Sequence, residues 1–323
     1  MSNSNQLEMM ERIALDLEGV ERALASSFNT GSEDFNTLIR PLSEAGGKRL
    51  RAQLCLLIAN AGTSVEEERI KIAEAVEMLH LATLIHDDVL DQAEIRRGEE
   101  TIHKHKGNKV AILSGDYLFA KAFRIVSEMP HMEYLKIFSH IITCLVEGEF
   151  MQMEDVYRID QGIDRYMTKT QKKTADFMEG CMELGGLLGG WSSDEIMYLK
   201  RYGHALGMAF QITDDIMDYR ETSDTTGKPV GNDLREGLLT YPLLSIVNES
   251  NQNQLLQDIK NLNHGGNEQE IIDYVIAQGG IDNTLRVAQQ YCDDALSALQ
   301  SIREFDGKEF LVLAVQNLAD RKV

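Results

Sequence analysis

An all-α fold follows from three features of the 323-residue chain. Only four prolines occur, Pro41, Pro130, Pro229 and Pro242. Between them run long segments whose apolar residues recur at spacings of three and four, the helical period. Strictly alternating β-branched and aromatic runs, which a βαβ fold would need several times over, do not appear. With 43% hydrophobic and 26% charged residues the composition is that of a globular protein able to bury its own core, which excludes disordered, collagen-like and disulfide-scaffold classes. No linker-like composition shift and no short repeat divides the chain, so one domain over residues 1–323 is expected.

The balance of charge narrows the function. The 52 acidic and 32 basic side chains leave a net charge of −20, and nothing resembles the basic footprint of a nucleic-acid binder. The longest stretch without Lys, Arg, Asp or Glu is the 14 residues Ala52–Val65, shorter than the roughly 18 a spanning helix needs, so no transmembrane segment is expected. Met1–Val20 lacks the basic start and apolar core of a signal peptide, which points to the cytoplasm. Cys55, Cys144, Cys181 and Cys292 form no CxxC pair and read as buried, reduced thiols rather than as zinc ligands or disulfides.

Loops are expected at Gly46-Gly47, Arg97–Gly107, around Pro130, at Trp191–Ser193, over Ser223–Asn232 and at Asn261–Gly266. Two of the intervening helices stand out. The first, about Glu66–Asp91, carries Val76, His80, Thr83, Asp87 and Asp91 on one stripe. The second, about Glu195–Tyr219, carries Leu199, Gly203, Gly207, Gln211, Asp214 and Asp218. Each stripe ends in DDxxD: Asp87-Asp88-Val89-Leu90-Asp91 and Asp214-Asp215-Ile216-Met217-Asp218.

Carboxylates four residues apart repel by a few tenths of a kcal/mol, and the macrodipole disfavours anions at a helix C-terminus. Solvated acidic helix ends are the plain alternative, but 23 Asp in 323 residues give about 0.1 DDxxD matches by chance. The Asp293-Asp294 pair lacks the third Asp and is the internal control. Mg2+ suits the pattern, since it takes one or two carboxylates and completes its octahedron with water and phosphate oxygens.

Basic groups stand at predicted loops and helix ends: Lys48, Arg49 and Arg51 after a Gly pair, Arg96-Arg97 just beyond the first motif, Lys172-Lys173, and Lys228 ten residues beyond Asp218. Together with metal they suit two polyanionic, diphosphate-type substrates. No GxxxxGK[ST] loop is present, which argues against an ordinary nucleoside triphosphatase.

From about Leu38 onward the chain resembles the trans-isoprenyl diphosphate synthases. The resemblance rests on the GGKRLR run at 46–51, His80, the first DDxxD with Arg96-Arg97-Gly98, and Gly115-Asp116-Tyr117-Leu118. It continues through Glu147-Gly148-Glu149 with Gln152, Lys173-Thr174-Ala175, Phe210–Asp215 and Gly227–Leu234. It implies a helical bundle around a deep central cavity, of the isoprenoid synthase type. It also implies Mg2+ held by Asp87, Asp91 and Asp214, supported by Asp88 and Asp218. Arg96, Lys173 and Lys228 would hold the allylic diphosphate, and Lys48, Arg51, His80 and Arg97 isopentenyl diphosphate. Thr174, the Lys173 carbonyl and Gln211 would flank the carbocation, and the released diphosphate would take the final proton.

The residues one turn before the first motif, Ala82 and Thr83, govern chain length in such enzymes. Being small, they imply a product of more than four isoprene units, with geranylgeranyl diphosphate as the alternative. The family's Lys after the DLREG-type run is here Leu238, which resembles the catalytic subunits of two-component long-chain enzymes. A homodimer, or a complex with a small dissimilar subunit, is therefore expected.

Competing readings are a terpene cyclase, whose second metal motif differs, a non-catalytic subunit of the same fold, and a helical Ca2+-binding scaffold. His86, His103 and His105 read as local polar residues, and Met208, Phe210 and Phe150 as core. Glu147 and Glu149 are either a solvated face or neighbours of the site.

Overall fold

The computed structural model describes residues 2–28, 33–44, 49–96, 98–220 and 231–319. It is helical almost throughout, as expected, and resolves into two compact units. The first comprises Met1–Ser139, Gly180–Met197 and Glu304–Gly307. The second comprises His140–Glu179, Tyr198–Arg303 and Lys308–Val323.

In the first unit, α1 Ser2–Ser27, α2 Glu33–Glu44 and α3 Leu50–Asn60 precede α4 Glu66–Leu90. Helix α4 opens with Glu66, Glu67 and Glu68 in its first turn, where anions complement the macrodipole. Its middle, Ile72–Leu79, is buried on every side, the mark of a helix at the centre of a bundle. Polar residues there are paired. Asp16 of α1 accepts hydrogen bonds from Arg69 Nε at 2.9 Å and Asn60 Nδ2 at 2.7 Å. Glu77 accepts from Arg49 Nη1 at 3.1 Å and from the Ala52 backbone N–H at 3.2 Å. Removing one member of such a buried pair costs about 3–5 kcal/mol, so these contacts lock α1, α3 and α4 in register.

The segment expected as a loop after α4 is more ordered than the sequence suggests. Ile95–Arg96 (β1) pairs antiparallel with Glu99–Glu100 (β2) around Gly98, and Ile102–Lys106 forms a short helix, α5, capped by the Thr101 hydroxyl. Two-residue strands and a one-turn helix are too short to leave a period in sequence. Helix α6, Asn108–Ser127, then runs close along α4: a Cβ on Gly115 would lie 2.2 Å from His86 Nε2.

Helices α7 Met132–Asp155, α9 Asp176–Leu188 and α10 Ser193–Arg220 contribute residues to both units. The second unit also holds α8 Ile163–Thr170 and a π-helical turn, Gln171–Ala175. Short helices α11 Asn232–Glu236 and α12 Tyr241–Leu244 follow, then α13 Gln252–Asn261, α14 Glu268–Ala277, α15 Gly280–Gln300 and α16 Lys308–Ala319. Ile212, Ile216, Tyr219, Leu234, Leu243, Ile259, Val275 and Ile281 form its core. Met208 is buried there as expected, but Phe150 on α7 is not: it is 61% exposed, beside exposed Val146 and Met153. Periodicity marks one side of a helix as apolar without saying that this side is covered. All four cysteines are buried free thiols. No helix among the described residues is long and apolar enough to cross a membrane.

At Gly207, α10 comes close against the π-helical turn. A Cβ there would lie 2.6 Å from the Cα of Ala175, a backbone atom that cannot rotate away. Gly207→Val should therefore destabilise the protein by about 1–3 kcal/mol through overpacking. Urea unfolding with an unchanged midpoint would contradict this close packing.

Candidate active site

In the first unit the C-terminal turns of α4 carry the first aspartate motif. Asp88 is only 5% exposed and accepts a hydrogen bond from Arg96 Nε at 2.5 Å, so β1 folds back to neutralise it. Burial still holds its carboxyl above the ordinary range, against the pull of Arg96. Asp87 and Asp91, four residues apart, lie on the more open side, half-buried and exposed respectively. One turn back, Ala82 is fully buried and the Thr83 hydroxyl donates to the His80 carbonyl at 2.7 Å. Arg51 of α3 brings Nη1 to 3.3 Å from His80 Nε2, so two of the residues assigned to isopentenyl diphosphate do come together. Burial lowers the basicity of Arg51, partly offset by the Glu77 and Asp87 charges. Lys48, Arg97 and Lys228 lie outside the described residues.

In the second unit a hydrogen-bonded chain links the π-helical turn to the second motif. The Thr174 hydroxyl donates to Gln211 Oε1 at 3.0 Å, Gln211 Nε2 donates to Asp215 Oδ1 at 3.0 Å, and the Tyr166 hydroxyl donates to Asp215 Oδ2 at 2.5 Å. Asp215 is 5% exposed, the same as Asp88, and burial pushes its carboxyl up to about 7 despite both donors. Asp214 is exposed, while Asp218 accepts the backbone N–H groups of Asn232 at 3.1 Å and Asp233 at 3.2 Å, anchoring α11. The two motifs thus share one design: the middle Asp turns inward and is bonded, and the outer pair stays at the more open side.

The lysines of the turn are held by α7. Lys172 Nζ lies 2.5 Å from Glu147 and Lys173 Nζ 2.5 Å from Glu149, with Gly148 between them allowing the approach. Both glutamates thus pair with lysines of the turn. A π turn inserts an extra residue into a helix and is common at functional sites; here it sets Thr174 against Gln211. The Leu238 backbone donates to the Asp233 carbonyl at 2.8 Å, and its half-buried side chain supplies no charge. His103 contacts the Ala93 carbonyl at 2.7 Å within its own connecting segment, whereas His86 reaches across to α6, to the Ile112 carbonyl at 3.1 Å and to within 3.7 Å of Asp116 Oδ1.

Tyr166, Lys169 and Asp155 escaped the sequence reading, and Asp215, named there as part of the second motif, was given no role of its own. Lys169 Nζ lies 3.7 Å from buried Asp155, and burial lowers its basicity. Asp215 stands one turn after Gln211, a spacing that could have flagged it; Tyr166 and Asp155 have no local signal.

An all-helical chain in which two helices end in DDxxD and lysines and arginines stand beside them defines a trans-prenyltransferase. The chain belongs to the polyprenyl synthetase family, whose model matches residues 32–278. It is 32% identical over 312 residues to octaprenyl diphosphate synthase of Escherichia coli, covering 95% of this chain and 96% of that protein. It is 32% identical over 287 residues to heptaprenyl diphosphate synthase component 2 of Geobacillus stearothermophilus, covering 89% and 90%. Among solved structures, a polyprenyl synthase from Caulobacter crescentus complexed with calcium and isoprenyl diphosphate superposes with a TM-score of 0.89 at 30% identity, covering 98% of each chain.

Because the folded-state pKa of Asp215 is raised, its proton stabilises the fold at low pH, and that contribution is lost as pH rises from about 4 to about 7. In chelator, the stability of Asp215→Asn relative to wild type should rise across this window. A pH-independent difference would contradict the buried carboxylate.

Proposed function

We propose that the chain is a Mg2+-dependent polyprenyl diphosphate synthase that condenses an allylic diphosphate with isopentenyl diphosphate head to tail, giving an all-trans product of more than four isoprene units. The observation that carries this reading is the repeated motif geometry, in which burial of Asp88 and Asp215 leaves Asp87, Asp91 and Asp214 as hard oxygen donors of the kind Mg2+ prefers, with Asp218, bonded to backbone N–H groups of α11, in a supporting place. Mg2+ bound by them would supply charge to the departing diphosphate and lower the barrier to C–O ionisation.

Arg96, Lys173 and Lys228 are proposed to bind the allylic diphosphate, and Lys48, Arg51, His80 and Arg97 isopentenyl diphosphate. Asp88 and Glu149 hold Arg96 and Lys173 in place before substrate arrives. Thr174 Oγ1, the Lys173 carbonyl and Gln211 present oxygen dipoles suited to an allylic cation. Asp215 and Tyr166 fix the orientation of the Gln211 amide. The released diphosphate takes the proton lost from the carbon beside the condensed cation, whose C–H electron pair forms the new double bond, so no side-chain nucleophile is required.

Three further readings belong with this one. The chain works as a single catalytic domain, supported by a family match that runs through residues of both units. It acts in the cytoplasm. It is a homodimer or pairs with a small dissimilar subunit, supported by the component name of the Geobacillus relative and by exposed Val146, Phe150 and Met153. Product length is supported by the octaprenyl and heptaprenyl names of the relatives and by small Ala82, with Leu79, Val76 and Ala75 behind it on α4.

The test is incubation of purified protein with Mg2+, labelled isopentenyl diphosphate and farnesyl diphosphate, followed by dephosphorylation and sizing of the alcohols. Products beyond twenty carbons are expected, and Ala82→Phe should shorten them because the ring fills the space a longer chain needs. Wild-type products ending at farnesyl or geranylgeranyl, or an unchanged distribution in Ala82→Phe, would reject the length assignment.

A further inference from the structure

A second cluster of metal-ligand side chains lies in the second unit and includes no residue of either aspartate motif. His140 and Cys144 stand one turn apart on α7, Asp176 and Glu179 one turn apart on α9, and His204 on α10. The ligand atoms of His140, Cys144 and Asp176 all lie within 4.8 Å of one another, and so do those of Asp176, Glu179 and His204. Asp176 is common to both sets. Cys144 and Asp176 are buried, Glu179 and His204 half-buried and His140 exposed, so the cluster reaches from the interior to solvent.

We propose that these residues form a transition-metal site of the Zn2+ class, built on His140, Cys144 and Asp176 and completed by Glu179 or His204. Three observations carry the assignment. The donor set mixes sulfur, nitrogen and oxygen, which suits Zn2+ or Co2+ and not Mg2+, whose sites are nearly all oxygen. The spacing is within reach: Zn–S and Zn–N bonds of about 2.3 and 2.0–2.1 Å at tetrahedral angles put S and the ligating N about 3.6 Å apart. Cys144 Sγ lies 3.7 Å from His140 Nε2 and 3.8 Å from Nδ1, so the exposed ring has only to turn to point one nitrogen at a metal held by the sulfur. Likewise His204 Nδ1 and Glu179 Oε2 are 3.5 Å apart. The charge also closes, because the Cys144 thiolate and the Asp176 carboxylate balance a divalent ion, while Lys200 Nζ at 3.5 Å from Glu179 answers the remaining anion. On binding, the Cys144 thiol gives its proton to solvent and the sulfur lone pair goes to the metal.

The site bears on the catalytic turn. Asp176 directly follows Gln171–Ala175, and Gln171 Nε2 donates to Asp176 Oδ1 at 3.2 Å. Glu147, which holds Lys172, is three residues beyond Cys144 on α7. An ion here therefore clamps α7 to the start of α9 on either side of the segment that presents Lys173 and Thr174. The sequence hid this because the ligands come from three helices and no CxxC or HExxH spacing announces them.

The test uses the full-length protein, stripped of metal and titrated with Co2+. One equivalent per chain should produce a thiolate-to-cobalt charge-transfer absorption together with the strong visible bands of a tetrahedral ion, and Zn2+ should displace it. Cys144→Ser should lose the charge-transfer band, and His140→Ala, a change at an exposed position, should weaken binding by at least about tenfold. Asp87→Ala should keep the band, which separates this site from the proposed Mg2+ ligands and makes the two readings fail independently. Absence of the band in wild type, its retention in Cys144→Ser, or unchanged affinity in His140→Ala would each overturn the proposal. Circular dichroism checks that the variants are folded, and the surface variant decides the matter if Cys144→Ser is not.

Discussion

The proposed site depends first on how the chain handles three aspartates crowded at the C-terminal end of each of two helices. The macrodipole and the repulsion between carboxylates four residues apart together cost on the order of 1 kcal/mol. Burying a carboxylate without a partner costs several kcal/mol, and so decides the arrangement. The middle residue of each motif is the buried one, and each is satisfied: Asp88 by Arg96, Asp215 by Tyr166 and Gln211. The outer carboxylates of each motif are less buried, Asp218 bonded to the backbone of α11, and their negative charge suits a divalent cation.

The same hydrogen bonds order the groups around them. Arg96 is held by Asp88, and the Gln211 amide is oriented by Asp215 so that its oxygen faces the Thr174 hydroxyl. Close backbone approaches make this possible: Gly207 lets α10 meet the π-helical turn, Gly148 lets Lys173 reach Glu149, and Gly115 brings α6 against His86. A side chain at Gly207 would meet the Ala175 backbone, at Gly148 the Lys173 side chain and at Gly115 the His86 ring. Preorganisation of this kind lowers the cost of reaction because dipoles need not reorient as charge develops.

Much of this was legible in the sequence, and the reason is periodicity. The helix expected over Glu66–Asp91 spans Glu66–Leu90, and that expected over Glu195–Tyr219 spans Ser193–Arg220. The stripe that placed Gln211 one turn before Asp214 is correct, and Thr174, set beside Gln211 by the family resemblance and not by periodicity, does lie against it. Partnerships formed across the fold were not legible. Tyr166 reaches Asp215 across 49 positions of sequence, and Asp155 gathers Arg165 and Lys169 without any spacing that signals it. Phe150 failed in the opposite sense, since its apolar character was read as burial although it stands on an uncovered side of α7. The β1–β2 hairpin that delivers Arg96 is two residues a strand, below the length at which alternation can be seen.

The most direct test is the Mg2+ dependence of condensation in wild type, Asp87→Ala and Asp214→Ala, with circular dichroism as the check on folding. Each variant should retain its helix content and lose activity by about a thousandfold or more at every Mg2+ concentration, as expected when several kcal/mol of transition-state stabilisation is removed. Near wild-type rates in either variant, or a wild-type enzyme indifferent to chelation, would contradict the assignment of the outer aspartates to the metal.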